Sequence, residues 1–363
     1  MMHGLEKSDP AIVATKPVNK AGQPAAEWVE PRVGTEGNAG QSRTHRTQCR
    51  ESVSQGLERV RQAARLRKKE RFTALMHHVT VERLWAGFDA LKQRSAPGID
   101  GVTWHDYEAN LIPNLRALHA RLHDGRYKAQ PVRRRYIPKP DGSVRPLGVT
   151  ALEDKIVQRA VVEVLNAIYE SDFRGFSYGF RPGRGQHDAM DALAFGIQAQ
   201  RVNWILDADI KGFFDSLSQE WLIKFLEHRI GDRRMIRLIQ KWLRAGVLDE
   251  GEWSVSATGT IQGAVISPLL ANVFLHYVFD LWADRWRRAE ARGKVIIVRY
   301  ADDIVLGFEH EADARQFWDA MRARLEHFGL ELHGVKTRLI EFGRYADERR
   351  RRRGLGRPAA DPG

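Results

Sequence analysis

Three aspartates are placed so that they could do chemistry together: Asp209, Asp302 and Asp303. Asp302 and Asp303 are adjacent in Tyr300-Ala301-Asp302-Asp303, set between the apolar runs 295–298 and 304–306. Neighbouring like charges in a tight β turn repel one another, so the pair is costly unless solvent or a cation compensates it. A polar hairpin tip would be the ordinary explanation. Asp209 shifts the balance, because it closes another apolar run, Trp204-Ile205-Leu206. If these strands are neighbours in one sheet, the three carboxylates converge at one edge. Such a set suits Mg²⁺, a hard cation that takes a few carboxylates and leaves its other positions to water and phosphate oxygens. Two such ions about 3.5–4 Å apart stabilise the attacking and leaving oxygens of an in-line phosphoryl displacement. That chemistry asks for no His or Cys ligand. Asp207 and Asp215 are read as structural, with Asp207 expected on the opposite face of its strand.

The elements around these residues predict an α+β fold with an antiparallel sheet flanked by helices. Residues 1 to about 55 are rich in Gly, Pro, Ser, Thr, Gln and charge and are expected to be disordered. Helical periodicity runs from about 56 to 125 and is broken by the loop SAPGIDGVTW. Pro140-Asp141-Gly142 between short β-prone runs predicts a hairpin within 127–150. Leu152, Ile156, Ala160, Val164 and Ile168 then form one buried helical stripe. Trp204 begins a strand, 219–246 reads as two helices, and a long helix starts near Pro268, a favourable first-turn position. Residues 295–308 read as two strands meeting at the acidic turn. The helix after them places Ala314, Phe317, Trp318, Met321, Leu325 and Phe328 on one face.

Composition narrows the partner. Lys and Arg number 58 against 46 Asp and Glu, an excess that suits a polyanion, since neutralising phosphates releases condensed counterions. The single cysteine, Cys49, excludes an internal disulfide and a cysteine-rich zinc site. The N-terminus lacks a signal-peptide pattern, and no apolar stretch approaches the ~18 residues needed to span a bilayer. A cytoplasmic protein with no membrane partner is expected.

Seven ordered motifs carry a family resemblance: SAPGIDG, IPKPDGSVRPLGV, SYGFRPGRGQHDA, ADIKGFFD, TIQGAVISPLLAN, RYADD and LELHGVKTRL. The chain resembles group II intron reverse transcriptase/maturases from about residue 60 to 343. The resemblance implies the fingers and palm of a right-hand polymerase, with fingers over about 56–200 and palm over about 201–343. It implies an RNA-directed DNA polymerase that uses two Mg²⁺ ions, an RNA template, a DNA or RNA primer and dNTPs, and that serves an intron RNA. Lys139 and Arg145, flanking the hairpin turn, would contact the triphosphate. Phe214 would stack beneath the sugar and exclude a 2′-hydroxyl, while Phe213 belongs to the core. Gln262 would pack against nucleotide and template base, and Lys336 would lie near the leaving pyrophosphate. Arg133, Arg134, Arg135, Arg181 and Arg184 are candidates for template and primer backbone contact. The run Arg349 to Arg353 is either an RNA-binding arm or part of a flexible basic tail over 344–363.

The sequence departs from the family pattern at Ile261, where proline is common, at Ala264, where glycine is common, and at Gly185, where serine is usual. A thumb and a maturase domain are expected after Gly343 and are not encoded before residue 363, which implies impaired grip on the product duplex. Two rival readings stay open. One is a maturase-like intron RNA-binding protein with little polymerase activity. The other is a retron, diversity-generating or CRISPR-associated reverse transcriptase.

Overall fold

The structure, a computed structural model, describes residues 56–138, 142, 144–249, 252–254, 258–343, 346–352 and 354. The N-terminal segment expected to be disordered, Lys139, and most of the basic tail lie outside the described residues. A first helix, α1, runs through 56–66. It is followed by α2 (Val81–Asp89), α3 (Trp104–Glu108) and α4 (Leu111–His123). Thr80 and Thr103 cap α2 and α3 by accepting from the backbone N–H three residues on, which is why these helices start where they do.

The expected hairpin is β1 (Val132–Pro138) and β2 (Val144–Val149), antiparallel with Pro138 opposite Val144. Helix α5 (Leu152–Tyr169) follows and runs through the core, with Ile156, Ala160, Val164 and Ile168 fully buried. Next come α6 (Gln186–Ala199), β3 (Trp204–Ala208), the short α7 (Phe213–Ser216), α8 (Gln219–Glu227) and α9 (Arg233–Leu243). Two short strands that periodicity did not announce, β4 (Val247–Asp249) and β5 (Glu252–Ser254), extend the hairpin sheet to the order β2-β1-β4-β5. Three-residue strands are too short to display an alternating pattern.

Helix α10 (Ser267–Leu275) has proline in its first turn and widens into a π turn over His276–Asp280 before continuing as α11 (Leu281–Ala289). Strands β6 (Val295–Tyr300) and β7 (Asp303–Phe308) flank the acidic turn. Helix α12 (Glu311–His327) covers their sheet with Ala314, Phe317, Met321 and Leu325. The last strand, β8 (Arg338–Glu341), completes a second sheet of order β6-β7-β3-β8, whose pairings are all antiparallel. Beyond it α13 (Ala346–Arg352) is helical and carries an Arg352–Glu348 ion pair. The fold is therefore mixed α+β with two four-stranded sheets. Among the described residues no helix is long and apolar enough to cross a membrane.

Candidate active site

Register brings the aspartates together. In the β3–β7 ladder Ala208 faces Ile304, so the next position sets Asp209 beside Asp303 at the end of the sheet. Tyr300 faces Asp303 across the β6–β7 hairpin, leaving Ala301 and Asp302 as the two-residue turn. Ala301 takes φ +57°, a left-handed value that costs an L-residue about 1–2 kcal/mol. The surroundings impose it. A Cβ on Gly179 would stand 2.2 Å from the Ala301 nitrogen, so the turn rests directly on glycine backbone. Asn272 Nδ2 donates to the Gly179 carbonyl at 2.8 Å and fixes that support from α10.

Arg299, one residue before the Tyr-Ala-Asp-Asp motif, holds the turn from inside and was not singled out by sequence. It is fully buried, as is Asp280. Its Nε and Nη2 donate to the two Asp280 carboxylate oxygens at 2.7 and 2.6 Å. Nη1 donates to Asn272 Oδ1 at 3.0 Å and to the Ala301 carbonyl at 2.8 Å, and Nη2 also reaches Ser177 Oγ at 2.7 Å. One guanidinium thus ties the turn to the π turn of the α10–α11 helix and to the 177–179 segment. An Arg inside an apolar strand is the only sequence signal of this role, because an unpaired buried charge is prohibitively costly.

Asp209 is set by a different loop. Its carbonyl accepts from His333 N–H at 2.8 Å, and Lys211 N–H donates to the Glu331 carbonyl at 2.8 Å. This wraps 331–337 around the end of β3 and brings Lys336 Nζ to 3.6 Å from Asp209 Oδ2. Asp207 corrects the sequence expectation. Two residues along a strand return to the same face, not the opposite one. Asp207 pairs with Arg338 at 3.5 Å, and its charge is felt by Asp303.

The electrostatics show an acidic cluster under mutual strain. The Asp303 carboxyl is pushed up to about 6, first by the protein packed behind it and then by Asp302, Asp209 and Asp207, with Lys336 opposing. Asp302 is also raised, mainly by burial and then by Asp209, while Arg145 and Arg299 pull it down. Among the described residues no three His, Cys, Asp or Glu side chains close into a ready metal cage, and Asp209 is held by Lys336 instead. The donor chemistry still fits a hard divalent cation. The donors are all oxygen, and each raised carboxyl would be relieved by added positive charge.

The other expected site residues divide. Arg145 is exposed on β2 beside the hairpin turn, and its charge reaches Asp302. Phe214 is half-buried against the core, whereas Phe213 is 3% exposed within it. Thr260 N–H donates to the Phe214 carbonyl at 2.7 Å, and Gly148 N–H donates to the Gln262 carbonyl at 2.7 Å. The loop carrying half-buried Gln262 therefore bridges α7 to β2. Gly148 and Gly263 permit this contact, since a Cβ on Gly148 would lie 2.2 Å from Ile261 Cγ2.

The arginines behave less uniformly than a charge run suggests. Arg181 is buried at 7% exposure, where Nη2 donates to Glu170 Oε2 at 2.9 Å and Nη1 to the Ser177 carbonyl at 2.6 Å. Its donors serve the fold, so it is withdrawn from backbone phosphate contact. Arg184 is half-buried, donates to the Gly175 carbonyl and lies over the Tyr178 ring. Arg133 and Arg134 are half-buried on β1 and Arg135 is exposed. Strand alternation places Arg134 on the face opposite Arg133 and Arg135.

Fold and site together define a mixed α+β protein with an acidic centre suited to phosphoryl chemistry. The family model described as reverse transcriptase (RNA-dependent DNA polymerase) matches residues 137–356. The chain belongs to the reverse transcriptase family. It is 37% identical to Protein YkfC of Escherichia coli (strain K12) over 59% of this chain and 64% of that protein. It is 34% identical to the group II intron-encoded protein LtrA of Lactococcus lactis subsp. cremoris, over 61% of this chain and 37% of LtrA. An uncharacterized 91 kDa protein in the cob intron of Schizosaccharomyces pombe is 32% identical over 71% of this chain and 32% of its own length. The chain thus spans under two thirds of each of these relatives.

Proposed function

We propose that this chain is an RNA-directed DNA polymerase of the group II intron kind, copying intron RNA by adding dNMP to a primer 3′-hydroxyl. The observation that carries the reading is the β3–β7 register, which sets Asp209 at the same sheet end as the Asp302-Asp303 hairpin. The primer 3′-hydroxyl loses its proton to solvent as its oxygen bonds to the α-phosphorus of the dNTP, the bond to the β-phosphate bridging oxygen breaks, and pyrophosphate leaves. A pair of Mg²⁺ ions held by Asp209, Asp302 and Asp303 would supply charge stabilisation at the attacking and leaving oxygens. Arg145 and Lys139 bind the triphosphate, Arg through paired hydrogen bonds and Lys as a point charge. Lys336 stands beside Asp209 and neutralises charge on the departing pyrophosphate. Phe214 excludes a 2′-hydroxyl by clash. Gln262, tied to β2 through its carbonyl, lies against nucleotide and template base.

In this reading the β2-β1-β4-β5 sheet with α1–α5 corresponds to fingers, and the β6-β7-β3-β8 sheet with α10–α12 to palm. Template RNA, primer and dNTPs are the partners. Asp302→Asn is expected to abolish Mg²⁺-dependent primer extension on an RNA template while leaving the melting temperature near that of the parent. Extension at the parental rate would sink the metal assignment.

A further inference from the structure

Phe180 has no part in the chemistry above, yet its position is unusually constrained. It is a bulky residue at φ +59°, and its side chain is 53% exposed. A strained backbone persists only where the surroundings over-determine it. Here they do so on both sides. Before it, Tyr178 N–H donates to the Arg299 carbonyl at 2.8 Å, and Gly179 sits under the acidic turn with its carbonyl taken by Asn272. After it, Arg181 is buried and locked to Glu170 and the Ser177 carbonyl. Two immobilised neighbours therefore hold an apolar ring out in solvent. The ring centroid lies 6.5 Å from that of half-exposed Tyr300, which begins the turn bearing Asp302.

A single exposed aromatic ordinarily needs no explanation. One held in left-handed backbone beside a reaction centre does, because a glycine there would remove the strain. We propose that Phe180 is a stacking platform for a nucleobase of the primer–template at its reacting end. The occupant follows from place and surroundings. The ring lies beside Tyr300, which opens the turn bearing Asp302 and Asp303, and the same segment presents Arg184 over Tyr178. Base-on-ring stacking is tolerant of sequence, as a copying enzyme requires. The proposal rests on the polymerase reading only for the identity of the duplex.

The test measures binding of a labelled RNA-template/DNA-primer duplex to the full chain by fluorescence anisotropy, with abasic nucleotides placed one at a time near the primer end. Phe180→Leu is expected to weaken binding roughly 5- to 150-fold. At one position, an abasic nucleotide should weaken the parent to a similar extent and leave Phe180→Leu unaffected. In Phe180→Trp, the emission added over that of the parent, which has ten tryptophans of its own, should be quenched by the intact duplex and not by the duplex abasic at that position. The proposal is overturned if Phe180→Leu binds like the parent, or if abasic penalties are equal in both at every position. It is equally overturned if the indole emission of Phe180→Trp ignores the base. Binding needs no turnover, so extension of the same duplex by the parent separately decides the polymerase reading.

Discussion

Asp280→Asn tests whether the buried Arg299 network holds the acidic turn in place for catalysis rather than merely stabilising the fold. The perturbation keeps the shape of the side chain and removes its charge, leaving a fully buried guanidinium with no anion. Breaking one partner of a buried ion pair costs about 3–5 kcal/mol. At roughly 2 °C per kcal/mol for a large domain, the melting temperature should fall by about 6–10 °C. Arg299 also supplies the bond to the Ala301 carbonyl, so relaxing it loosens the residue beside Asp302. A misplacement of ~1 Å at a reacting centre can cost about 100-fold in rate. The assay is primer extension across a Mg²⁺ titration, run well below the lowered melting temperature. The control is Asp172→Asn, which breaks another ion pair, buried Arg229 with half-buried Asp172 at 2.8 Å, whose partners do not belong to the acidic turn. Both variants should lose stability, and only Asp280→Asn should lose rate or need more Mg²⁺. Parental rate and Mg²⁺ dependence in Asp280→Asn, or equal defects in the two variants, would show that the network serves stability alone.

Three further outcomes follow from the same geometry. Asp303 titrates near 6 in the folded chain against an ordinary 3.8, so the folded state binds more protons between those values. Stability should therefore fall as pH rises from about 4 to 6, and the full cost should persist above that. In metal-free buffer at pH 7–8, Asp303→Asn should be more stable than the parent by up to about 1 kcal/mol after solvent screening. Calorimetry should show the gain vanish below about pH 4 and shrink on adding Mg²⁺. Gly179→Ala would place a Cβ 2.2 Å from the Ala301 nitrogen, a clash with backbone that cannot swing away. Extension should drop about 100-fold with a stability loss of only about 1–3 kcal/mol, read by kinetics beside thermal melting. Phe214→Val should raise incorporation of ribonucleotides relative to deoxyribonucleotides by about 10-fold or more, and an unchanged ratio in competition assays would remove Phe214 from sugar selection.

The parts whose signal is local were legible before any fold was known. Long periodic helices such as α5 and α12, the two β runs around the acidic turn, and the glycine-marked hairpin all follow from apolar spacing and turn chemistry read over a few residues. The aspartates were legible for the same reason, since charge at the end of an apolar strand conflicts with its surroundings. The remainder depends on partners far along the chain. Asp207 and Arg338 lie far apart in sequence and meet because β3 pairs with β8. Arg181 reads as surface charge until Glu170 and two carbonyls are seen to enclose it. Arg299, Asp280, Asn272 and Ser177 come from three separate segments, and no spacing rule links them. Coulomb and hydrogen-bond energies depend on distance in space and on the water displaced, and neither is written in sequence order. The chain named its carboxylates, and the fold alone showed what holds them.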